Sequence, residues 1–113
     1  MKLKLVLTLL AIIAFRYIVP AQSAGAVQLA NHIAQKMKDT LSLTQEQKGQ
    51  IYSINLQIHS LKMEVRQQYN NPDTIRVRTQ RVESSRDSLY RPVLNQPQYQ
   101  LYLQKKRYLI SAN

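Results

Sequence analysis

The chain contains no cysteine and no tryptophan, only two glycines and one phenylalanine, and its 6 acidic residues face 16 lysines and arginines. Without cysteine there is no disulfide scaffold, thiolate metal site, iron–sulfur cluster or thiol nucleophile, whatever compartment the protein occupies. Two glycines are too few for a phosphate-cradling loop. Acid–base catalysis needs titratable groups that converge, and the two histidines and few carboxylates are scattered along the sequence, so no enzyme is expected. His32 and His59 have no ligand-type residue three or four positions away, so no metal or other cofactor is expected either. What is present, 113 residues of which 44% are apolar, is enough for one small domain.

The N-terminus reads as a processing segment. Lys2 and Lys4 precede an apolar run from Leu5 to Phe15, interrupted only by Thr8, and small residues at Ala21, Ser23, Ala24 and Ala26 suit cleavage after Ser23 or as late as Ala26. Arg16 and Pro20 interrupt the run short of the about 20 apolar residues needed to cross a bilayer, so a secretory signal peptide over residues 1–23 is favoured over a membrane anchor. No cysteine is available to carry a lipid. The expected mature domain, residues 24–113, loses Lys2, Lys4 and Arg16 and keeps seven of the ten net positive charges. An exported basic protein favours acidic partners such as lipid head groups, anionic polysaccharide or unfolded chains, and export removes most of the case for nucleic acid.

Beyond residue 26 the apolar period is helical nearly throughout, which predicts an all-α domain with helices at about 27–38, 45–70, 74–91 and 96–110. The first gathers Leu29, Ala30, Ile33, Ala34 and Met37 on one side. Thr44 with Gln47 three residues on forms a capping box, so the second helix starts at Gln45 and ends before Pro72. At 1.5 Å per residue this helix spans about 39 Å. A compact globule of some 90 residues has a radius of gyration of about 12 Å, so an elongated molecule is expected.

The second helix divides into three arcs. Ile51, Ile54, Ile58, Leu61, Val65 and Tyr69 form a packing seam, Tyr52, Leu56, His59 and Met63 a separate second arc suited to a subunit or ligand contact, and the rest is polar. The third helix, with Asp73 as its cap, carries a narrow stripe of Ile75, Val82 and Leu89 bordered by Arg78 and Arg86. Its arginines spread around the cylinder, unlike the one-sided stripe of a nucleic-acid reader. They leave either solvated charge or a thin apolar strip edged by guanidinium groups, suited to chains that are partly apolar and partly acidic. Asn95 and Gln98 repeat the capping device, with Pro97 in the first turn of a fourth helix that buries Tyr99, Tyr102, Leu103, Leu109 and Ile110. Lys106 on that face must snorkel.

The two capped starts, Leu43-Thr44-Gln45-Glu46-Gln47 and Leu94-Asn95-Gln96-Pro97-Gln98, resemble the paired LTxxQ motifs of the Spy/CpxP family of small periplasmic stress proteins. The resemblance covers about residues 40 to 110 and is carried by Leu43, Thr44, Gln47, Leu94, Asn95 and Gln98. Asn95 stands where the family has Thr, and Asn caps at least as well. The resemblance implies a curved, hairpin-like antiparallel homodimer cradle in the periplasm, whose basic, partly apolar concave face holds non-native clients without ATP. On this chain the client- or partner-binding residues would be Tyr52, Leu56, His59, Met63, Arg78 and Arg86. The alternative with the same fold is a regulatory or envelope-binding protein that docks on a membrane sensor domain or an anionic surface without general chaperone activity.

Overall fold

The computed structural model describes residues 23–113, and the expected signal peptide lies outside them but for its last residue, Ser23. The described chain is all-helical: α1 (Ala24–Leu41), α2 (Gln45–Gln68), α3 (Pro72–Ser84), a single turn α4 (Arg86–Tyr90) and α5 (Gln96–Leu109). No helix among the described residues is long and apolar enough to cross a membrane.

α1 begins three residues earlier than its periodicity predicts, because the Ser23 Oγ accepts the Ala26 N–H at 3.1 Å and starts the helix within the expected cleavage window. It ends at Ser42, whose φ of 56° is left-handed, and there the chain turns toward Thr44. α2 returns antiparallel to α1, as three cross-links show: Asn55 Nδ2 donates to the Ala30 carbonyl at 3.0 Å, Lys48 Nζ to Gln35 Oε1 at 2.6 Å, and Lys38 Nζ to Gln45 Oε1 at 3.0 Å. The facing side of α1 is built on alanines. Ala26, Ala30 and Ala34 are buried beside Ile33 and Met37, so the two backbones approach closely. Leu29, expected on this side, is 38% exposed, since it lies one position off the alanine row.

The region expected to form one helix from Thr74 to Arg91 is two. Asn71, not Asp73, is the cap: its Oδ1 accepts from the N–H groups of Asp73 and Thr74, and Pro72 occupies the first position, where a missing N–H costs nothing. The break falls at Ser85, whose N–H and hydroxyl both donate to the Val82 carbonyl in a tightened turn. α2 likewise stops at Gln68, where Tyr69 becomes extended.

One core joins α1, the first half of α2, α4 and α5 around Met37, Ile51, Tyr90, Tyr102 and Leu109, none of them measurably exposed. Tyr90 and Tyr102 meet edge to face with centroids 5.1 Å apart. The last turn of α5 is held to α1 by Lys36, whose ammonium donates to the carbonyls of Tyr108 and Ser111, each at 2.8 Å. Leu103, expected in the core, is 42% exposed on the far side of α5. Lys106 is half-buried and its ammonium pairs with Asp87 at 2.9 Å.

α3 contributes no buried residue and lies antiparallel to the second half of α2, outside this core. The molecule measures 52 × 40 × 24 Å with a radius of gyration of 16.8 Å.

Candidate functional site

The structure divides the six residues proposed for binding among three environments. Tyr52 is half-buried and packs against the core cluster that residues of α1, α2 and α5 form. Leu56 and His59 are half-buried, and Met63 is exposed, with Arg66 Nη1 3.7 Å from its sulfur. His59 borders a cavity of about 60 Å³ between α1 and α2. That is room for a water or two, far below the about 300 Å³ at which small-molecule pockets begin.

Arg86 does not border an exposed strip. It is 6% exposed and sits at the centre of a buried polar cluster. Its Nη1 donates to Asn55 Oδ1 at 3.0 Å and to the Tyr90 hydroxyl at 2.7 Å, while Nε reaches Glu83 Oε1 at 2.6 Å. Tyr90 donates to the same Asn55 oxygen, and Lys62 pairs with the other oxygen of Glu83. Burial would raise the Glu83 pKa, but hydrogen bonds and charge from Arg86 and Lys62 outweigh it and pull the carboxyl to about 2. Burial pushes the Tyr90 hydroxyl up to about 12. A second group braces the first: Tyr102 donates to Asp87 at 2.7 Å, and burial with that bond pushes its pKa upward. No buried side-chain nitrogen or oxygen among the described residues lacks a partner, so these clusters tie four helices together and are internally satisfied. The usable signal in the sequence was Asn55, a polar residue inside the packing seam four positions after Ile51.

Both predicted capping boxes are formed: Thr44 with Gln47, and Asn95 with Gln98. Leu43 and Leu94 enter the core. The two glutamines also face each other. Gln47 Nε2 donates to Gln98 Oε1 at 2.8 Å and to the Val93 carbonyl at 3.0 Å, and Gln98 Nε2 returns a bond to Gln47 Oε1 at 3.3 Å. Each side-chain oxygen thus serves its own helix start and the other glutamine, which locks the start of α2 to the start of α5. A double-mutant cycle should show this. Gln47→Ala and Gln98→Ala are each expected to cost about 1 to 2 kcal/mol in urea titrations, and the double variant clearly less than their sum. Strict additivity would mean that the contact carries no energy.

Another surface appears where the seam of α2 outruns its cover. Because α1 is antiparallel to α2 and its first residues lie beside Ile58 and Lys62, α2 beyond that point is flanked by α3 alone. Leu61, Val65 and Tyr69 are therefore half-buried, and with Val82 they floor an open groove between α2 and α3. Arg78 and Arg81 form its rim. The Arg78 guanidinium lies 4.4 Å from the centre of the Tyr69 ring, and Arg81 has no ion-pair or hydrogen-bond partner among the described residues. On the other side of α3 the same arginines flank Val77, which is 49% exposed. Sequence reasoning placed Leu61, Val65 and Tyr69 in the closed core. The stripe on α3 is too narrow to cover both flanks of that seam, and this was the clue. No group of three or more histidines and carboxylates among the described residues could hold a metal ion.

No protein-family model, curated protein sequence or solved structure matches the chain.

Proposed function

We propose that the protein is an exported, ATP-independent, chaperone-like binder of unfolded or partly folded chains, and that it holds them by weak contacts on a basic, partly apolar surface. The observation that supports this best is α3. It is a full helix of 13 residues with none buried, docked along one flank and presenting Val77 with Arg76, Arg78 and Arg81 on the remainder. Met63 with Arg66 extends the same combination onto α2. Such a surface offers shallow apolar contact and unshaped positive charge, which suits many chains weakly and none tightly. The paired caps that resemble the LTxxQ motifs point to the same role, and the homodimer they imply belongs to this proposal.

The test is aggregation suppression by the purified mature chain, with molar mass determined on the same sample. Several unrelated denatured proteins are expected to stay soluble at near-stoichiometric ratios. Suppression should weaken as salt rises to about 0.5 M, where charge is screened within about 5 Å. Uniform failure across clients, together with one saturable envelope partner, would favour the regulatory alternative.

A further inference from the structure

The groove between α2 and α3 has an apolar floor and a rim of one sign. Leu61, Val65, Tyr69 and Val82 form the floor, Arg78 and Arg81 rise from the α3 side, and no carboxylate lines it. The nearest acid along α3, Glu83, is already held by Lys62 and Arg86. We propose that this groove receives an acidic amphipathic segment of a bound chain, whose apolar residues lie on the floor and whose carboxylates pair with Arg78 and Arg81. The assignment rests on the client-binding reading and names the chemistry that the groove selects.

Charge decides between occupants. A second copy seated in the groove by a two-fold axis would bring its own Arg78 and Arg81 against these two, placing like charges together on a partly desolvated surface. The N-terminal residues 1–22 are apolar enough to fill it, but they carry Lys2, Lys4 and Arg16 and no acid. An acidic segment alone satisfies both floor and rim. Guanidinium groups suit it particularly, since their planar fork pairs with carboxylates while the stem keeps contact with apolar groups. Arg78 is preorganised for this: its stacking on Tyr69 holds the guanidinium over the groove and leaves its edge N–H groups without an acceptor among the described residues. Arg81 needs no competing pair broken before it binds.

The length of α3 sets the probe. Thirteen helical residues run about 20 Å, so a labelled peptide of about 14 residues is long enough. One peptide carries leucine and phenylalanine on one face with glutamates beside them, and its control has lysine at every glutamate position. Binding is read by fluorescence anisotropy on the mature chain. The acidic peptide should bind, about tenfold or more weakly at about 0.5 M salt than at low salt, and the lysine peptide should not. In the double variant Arg78→Glu, Arg81→Glu the preference should reverse, with the far-ultraviolet circular dichroism unchanged because neither side chain makes an ion pair among the described residues. Equal binding of both peptides, binding of neither, or unaltered preference in the charge-reversed variant would overturn the assignment. So would a dimer that the charge reversal strengthens and whose formation excludes the acidic peptide, since the groove would then belong to a second copy. The two readings fail separately. Suppression of aggregation without peptide preference removes the groove and leaves the general proposal, whereas peptide preference without suppression removes the general proposal alone.

Discussion

Replacing Arg86 by methionine is expected to cost about 3 to 5 kcal/mol of folding stability, the range seen when one partner of a buried ion pair is removed. Methionine keeps the apolar stem, so the loss reports the guanidinium. Without it, Glu83 keeps only Lys62, and Asn55 and Tyr90 lose a donor that each now shares. A domain of this size has about 5 to 14 kcal/mol in total, so a large fall in the urea midpoint is expected. A loss below about 1 kcal/mol would show that the cluster is solvated. Removing the acid as well, in Arg86→Met with Glu83→Leu, should recover part of the loss, because the uncompensated carboxylate accounts for much of it.

The same cluster predicts acid sensitivity. Glu83 has a folded pKa of about 2, below its ordinary value of 4.5. The stability it supplies is therefore present above about pH 4.5 and is lost as pH falls toward 2, amounting to about 3 kcal/mol at most. Denaturation midpoints measured between pH 7 and pH 2.5 should fall in the wild type. In Glu83→Gln they should fall less steeply, from a lower starting point.

The second large effect is expected at Met37. This residue is completely buried where α1, α2 and α5 meet, in a cluster with Ile33, Ala34, Leu41, Ile51, Tyr102 and Leu109, so its loss leaves a gap inside a packed core. Met37→Ala should cost about 2 to 5 kcal/mol, from lost burial and the cavity left behind. Met63→Ala, on a residue 38% exposed, should stay within about 0.5 kcal/mol. Equal losses at the two sites would contradict the division of the molecule into a core that covers the first half of α2 and an open second half.

That division explains what was legible in advance. The helix starts at Gln45 and Gln96 were readable because a cap is a local object: Thr44 and Asn95 bond to N–H groups three residues away, and no distant part of the chain is consulted. The same logic, applied one cap too late, missed Asn71 and the Pro72 start. Periodicity identified Ile51, Ile58 and Tyr102 as core, since each lies on the apolar side of its own helix. It failed at Arg86, Tyr52, Leu103 and Leu61. Whether an arginine at the edge of a stripe is solvated depends on whether an asparagine from α2 arrives beside it, and no helical wheel contains that.

Local chemistry along the chain determined the helical class, the reciprocal caps and the positive charge, because each depends on neighbours within a turn or on simple composition. Only the packed arrangement decided that Gln47 meets Gln98, that Arg86 is enclosed, and that the seam of α2 is sealed toward α1 but open beside α3. Those outcomes follow from where α1 starts and how far α2 outruns it, a matter of relative lengths and placement that side-chain periodicity does not encode.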